Sequence, residues 1–140
     1  REILGATTSA DYTAHSLLDR FDQFHAEANE LIPAAGDALE RGDMVAFGDL
    51  VTRSQSGAER ALENQIPETI TLVQQARELG ALAASAFGAG FGGSVWALVD
   101  SKSADLFRDR WRDAYRNAFP TSAPHAEFFV THAGPAAVRL

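Results

Sequence analysis

The sequence predicts an α+β domain: an antiparallel sheet with helices packed on one face. Two observations lead there. Apolar residues recur at spacings of three and four through roughly the first eighty positions, and the pattern then changes to a small-residue run before a glycine cluster, Gly88-Ala89-Gly90-Phe91-Gly92-Gly93, and a β-branched and aromatic run after it. Helices first, then strand, strand, helix and strand, is the element order that follows.

From about Ala10 to Ile32, residues Ala14, Leu17, Leu18, Phe21, Phe24, Ala28 and Leu31 form one helix face. Asp19, Asp22, Glu27 and Glu30 lie on the opposite side. Pro33 either kinks this helix or opens its continuation through Ala38 and Leu39, because proline lacks the amide an interior turn needs, and Gly42 stops it. Asp43 is an N-cap for a helix with Met44, Phe47, Leu50, Val51, Ala58, Ala61 and Leu62 on its apolar side. Pro67 suits the first position of the next helix, with Ile66, Ile70, Val73 and Ala76 on one face and Gly80 at its C-terminal stop.

Beyond Gly80, Leu82 to Phe87 and Ser94 to Val99 read as two strands joined by the glycine turn. The short connection makes them antiparallel neighbours. Ser103 is expected to cap a final helix that turns Phe107, Trp111, Ala114, Tyr115 and Ala118 to the sheet, Pro120 ends it, and Glu127 to Thr131 is expected as a closing strand of the same sheet.

The chain has 140 residues, enough for one domain with its own core. Its net charge is −7 and its basic residues are interspersed with acids, which argues against a nucleic-acid or anionic-membrane surface. Its longest apolar stretches are too short to cross a bilayer. With no cysteine, disulfides and thiolate metal sites are excluded, which suits a reducing cytoplasm. No apolar signal segment follows Arg1, and Met44 is the only methionine, so the chain is expected to begin inside a longer protein.

The glycine cluster formally satisfies G-x-G-x-x-G. A dinucleotide-binding turn requires a helix directly after it, whereas here a strand follows, so that reading is rejected. Four glycines in six positions still permit positive φ and close approach of a backbone or an anion. A tight structural hairpin and a ligand-contacting loop both satisfy those residues. His15, Asp19, Asp22 and His25 share a helix side at steps that also describe a solvated face, and zinc needs three or four converging ligands. His125 and His132 flank the last strand and read as surface residues. Trp96, Trp111 and Tyr115 read as core.

The block from Leu82 through the glycines to Val99 resembles the third motif of the GHMP superfamily, which comprises galactokinase, homoserine kinase, mevalonate kinase and phosphomevalonate kinase. Upstream, Leu39-Glu40-Arg41-Gly42-Asp43 followed by Phe47-Gly48, and Pro67-Glu68 with Leu72-Val73, are similar to galactokinase segments in the same order, as are Arg20 and Glu27 on the long helix. The resemblance runs from about Leu18 to Leu140. Ser85-Ala86-Phe87 stands where galactokinases often have arginine-methionine-threonine, Ser54-Gln55 where they have serine-histidine, and Ser94 where a cysteine is frequent.

The resemblance implies a ferredoxin-like GHMP-kinase C-terminal domain over residues 1–140, part of a longer two-domain kinase that transfers the γ-phosphoryl group of ATP to a sugar hydroxyl with Mg²⁺. It assigns the phosphate-binding loop, the catalytic groups and most sugar contacts to the N-terminal half, so no catalytic residue and no metal ligand is expected in this chain. Gly88, Ala89, Gly90, Phe91, Gly92 and Gly93 are expected near the nucleotide phosphates. The expected partners are the sugar, ATP and the protein's own N-terminal domain, in the cytoplasm, without nucleic acid or membrane. The isolated chain is expected to be inactive, and Gly90→Val is expected to depress transfer in the whole protein more than Trp96→Phe. A non-catalytic α+β binding module and a glycine-hairpin domain without ligand are the alternatives.

Overall fold

A computed structural model describes residues 1–7 and 12–134 of the chain. Ala10, where the first long helix was expected to begin, and the last six residues covered by the resemblance lie outside the described residues. The element order is α1 (Glu2–Gly5), α2 (Ala14–Ala26), α3 (Ile32–Glu40), α4 (Met44–Gly57), α5 (Pro67–Glu78), β1 (Ala83–Phe87), β2 (Ser94–Leu98) and α6 (Ala104–Ala118).

The Thr13 hydroxyl starts α2 by accepting the Ser16 amide. Between α2 and α3 the chain stays helical but widens into a π turn, Glu27–Leu31, in which the Ile32 amide donates to the Glu27 carbonyl five residues back. Pro33 explains the placement: it has no amide for the α register, and a widened turn just before it absorbs the lost bond without ending the helix. A second π turn, Ala58–Leu62, extends α4 and stops where Glu63 enters the left-handed region at φ 52°.

The helix ends follow local chemistry. Asp43 accepts the Ala46 amide at 3.0 Å, the N-cap its position predicts. α3 and α5 end alike, on left-handed Gly42 and Gly80. The amides of Gly42 and Asp43 return to Leu39 and Ala38, and those of Gly80 and Ala81 to Arg77 and Ala76, each pair forming a Schellman motif. Ser103 sits at the N-cap of α6, but its hydroxyl donates backwards to the Asp100 carbonyl and caps no helix amide.

β1 and β2 pair antiparallel, with Ser85 opposite Trp96 and Phe87 opposite Ser94. The buried cluster Val73, Ala76, Ala84, Phe107 and Trp111 joins α5 and α6 to one face of this pair, where Val95, Ala97 and Val99 complete it. The Trp111 indole donates to the Leu72 carbonyl at 3.0 Å, so its one polar atom is satisfied within the core. On the other face Ser85 and Trp96 border the α3–α4 pair across an open cavity of about 150 Å³.

The expected closing strand is not formed. Among the described residues the sheet has two strands, and Glu127 to Thr131 makes no ladder. A side chain holds this segment instead: Phe128 packs edge-on against Trp111, with ring centroids 5.4 Å apart, and against Tyr115, while Phe129 is exposed. The aromatic and β-branched run was a true signal of one inward residue but not of backbone pairing.

On α6, Arg108, Arg112, Asp105, Asp109 and Asp113 form a surface lattice of ion pairs, and the Arg108 hydrogen bond holds the Asp109 carboxyl below its ordinary range. At the buried Tyr115, desolvation first and the Glu68 carboxylate second push the phenol above its ordinary value, against a hydrogen bond with Ser122. The folded chain therefore keeps this proton to higher pH than the unfolded chain, so the contribution is complete below about pH 10 and is lost as pH rises through the folded value. Urea unfolding at several pH values from roughly 8 to 11 should show stability falling above about pH 10, with a shallower fall in Tyr115→Phe. Identical slopes would exclude Tyr115 as a source.

Candidate functional site

The glycine cluster forms the turn between β1 and β2. Gly88, Gly90, Gly92 and Gly93 all have positive φ, between 87° and 113°, and Phe91 joins them at φ 60°. A phenylalanine in the left-handed region costs roughly 1–2 kcal/mol and persists only where surrounding contacts impose it. Those contacts come from the segment between α4 and α5. The Phe91 amide donates to the Asn64 carbonyl, and the Asn64 side-chain amide donates to the Ala89 carbonyl at 3.0 Å.

Gly90 lies between these two bonds. A Cβ on Gly90 would run into the Asn64 carbonyl oxygen and stand 2.7 Å from the Asn64 Cγ and Nδ2. The room that Gly90 leaves is thus taken by Asn64 of the same chain. Gly88 and Gly93 differ, since a Cβ there would meet nothing within 4 Å. The six-residue turn has a pinned inner side at 89–91 and an open outer side, and Phe87 and Phe91 are exposed beside it.

The base of the turn is tied to α4. Gln55 is buried; its Oε1 accepts both the Ser85 hydroxyl and the Ala86 amide at 2.9 Å, and its Nε2 donates to Glu59 at 2.9 Å. The Ala86 amide belongs to the free edge of β1, so one glutamine closes that edge and anchors the strand that leads into the turn.

The other sequence candidates do not converge. His15 pairs with Asp19 at 3.2 Å, Asp22 pairs with Arg1, and the His25 ring tilts against Phe21. His125 and His132 are exposed. Among the described residues no group of three or more His, Asp or Glu side chains is placed to hold a metal ion. The groups that hold the glycine turn are backbone and side-chain amides, and N–H donors of that kind suit an anion. Asn64 and Gln55, the residues that hold the turn, were not singled out as site residues from the sequence. Gln55 did leave a trace there, as the residue standing where a histidine is usual.

A two-stranded antiparallel pair, covered by helices and ending in a pinned glycine turn, defines a class of helix-rich α+β domain that presents backbone rather than acid–base side chains. Comparison with known proteins gives the family. The model of GHMP kinases C terminal matches residues 36–117, and the chain belongs to that family. It is galactokinase-like within it. It is 33% identical over 114 residues to the galactokinase of Thermococcus kodakarensis, covering 76% of this chain and 33% of that protein. With the galactokinase of Pyrococcus furiosus it shares 34% over 113 residues, covering 76% and 32%. A crystal structure of Lactococcus lactis galactokinase complexed with galactose superposes with a TM-score of 0.70 at 28% identity, over 85% of this chain and 30% of that one. The chain spans about a third of the length of the relatives it matches. Among the described residues no helix is long and apolar enough to cross a membrane.

Proposed function

We propose that residues 1–140 are the C-terminal domain of a two-domain, galactokinase-like kinase that transfers the γ-phosphoryl group of ATP to a sugar hydroxyl in the cytoplasm. The 88–93 turn is one wall of the cleft between this domain and the N-terminal remainder, on the phosphate side. One observation carries the reading: a backbone turn with five positive-φ residues, pinned on its inner side and open on its outer side. Such a turn can approach phosphates closely without side chains intervening, and the net charge of −7 leaves little general positive field to do so instead.

Mg²⁺ and ATP would supply charge neutralisation and the transferable group, with the ion and the catalytic side chains held outside this chain. The chain's own work is positioning, which together with electrostatic stabilisation accounts for most of a phosphoryl transfer. Neither nucleic acid nor membrane is a partner in this reading.

The test is sugar-dependent ADP release by the full-length protein with MgATP and galactose, N-acetylgalactosamine, arabinose, glucuronate or galacturonate. Turnover with at least one sugar is expected, and none from the 140-residue chain alone. A full-length protein inert toward all five, or an isolated chain that turns over, would overturn the proposal.

A further inference from the structure

We infer that Asn64 is a positioning residue for the 88–93 turn, aligned by a side-chain relay from the start of α5; this rests on the reading of that turn as the phosphate-side wall. The relay is continuous. The Asn64 Nδ2 donates to the Ala89 carbonyl and its Oδ1 accepts from Gln65 Nε2, both at 3.0 Å. The Gln65 Oε1 in turn shares the Thr69 hydroxyl proton with the Ile66 carbonyl, each acceptor at 3.0 Å. Thr69 is buried and itself accepts the Ile66 amide, so the relay ends on the rigid first turn of α5.

With Oδ1 engaged by a donor, the Asn64 amide has one orientation that satisfies it, the one that aims Nδ2 at Ala89. The Asn64 carbonyl holds Phe91 from the same residue, so a single asparagine fixes both sides of Gly90. A six-residue segment with four glycines has high conformational freedom of its own, and this clamp removes it before a ligand arrives. Because Ala89 is exposed, its carbonyl can turn to water when the clamp is lost. Loss of the side-chain bond should therefore affect alignment more than folding.

The experiment is steady-state kinetics of the full-length protein and its Asn64→Ala, Asn64→Asp and Gln65→Ala variants, with thermal unfolding alongside. Asn64→Asp keeps the shape and removes the donor. Both Asn64 variants are expected to raise the KM for MgATP by roughly tenfold and to lower kcat severalfold, while the KM for sugar stays within about twofold. Gln65→Ala should produce a smaller change of the same kind. If Asn64→Ala fails to fold, the shape-preserving Asn64→Asp decides. An active wild type whose variants keep the KM for MgATP and kcat within about twofold overturns the inference alone. A variant that loses thermal stability with unchanged constants at low temperature does the same. A wild type without sugar-dependent ADP release overturns the underlying reading, and the inference falls with it.

Discussion

Gly90→Ala is expected to destabilise the domain by about 2–5 kcal/mol, one of the largest effects of any single methyl group added to this chain. Two independent costs combine. Gly90 has φ +88°, a conformation that strains an L side chain whatever space surrounds it. The new Cβ would also collide with the Asn64 carbonyl oxygen, which cannot swing away because it holds the Phe91 amide. For a chain of this size about 1 kcal/mol corresponds to roughly 4 °C in Tm, so thermal unfolding should shift down by about 8–20 °C. Gly93→Ala is the control: its φ is +99°, yet a Cβ there meets open space, so only the strain remains. If Gly90→Ala were no more destabilising than Gly93→Ala, the close approach of Asn64 would not be what requires glycine. The same geometry changes the meaning of Gly90→Val as a functional probe. A branched side chain there strikes the domain's own clamp, so lost activity would report a displaced turn, and Gly93 is the cleaner position for contact with phosphate.

The second large effect is expected at Gln55. Gln55→Leu keeps the volume and removes the acceptor of the Ala86 amide and the Ser85 hydroxyl, and a buried donor without a partner costs about 1–3 kcal/mol. With the Glu59 contact also lost, about 2–4 kcal/mol is expected from urea denaturation. Ser85→Ala should cost only about 0.5–1.5 kcal/mol, since Gln55 would still hold the strand. Gln55→His should cost less than Gln55→Leu, because a neutral imidazole offers one acceptor lone pair and one donor, enough to keep the Ala86 amide or the Ser85 hydroxyl but not both. Equal losses for leucine and histidine would contradict it.

Much of the architecture was legible in the residue order because its causes are local. Asp43 as a cap, Pro67 at a helix start, Gly42 and Gly80 at helix ends and the strand–glycine–strand block each depend on φ limits or hydrogen bonds that reach only a few residues along the chain. Ser103 shows where such rules stop, since its hydroxyl had two local partners and the turn at Asp100 took it. The π turn before Pro33 was half legible: proline announced either a kink or the opening of a continuation, and the chain takes the second course through a widened turn, with Pro33 in the first turn of α3. Glu127 to Thr131 carries an aromatic and β-branched run like a strand, yet the aromatic pocket of Trp111 and Tyr115 captured Phe128 without any ladder. The glycine turn was visible as conformational freedom, and only the fold decided how that freedom is used. Asn64 and Ala89 are 25 positions apart, and Gln55 and Ala86 are 31 apart. No periodicity or propensity connects residues at such distances. Their contacts exist because α5 packs on one face of the strand pair and α4 on the other, and that packing brings two unremarkable amide side chains to the turn they hold.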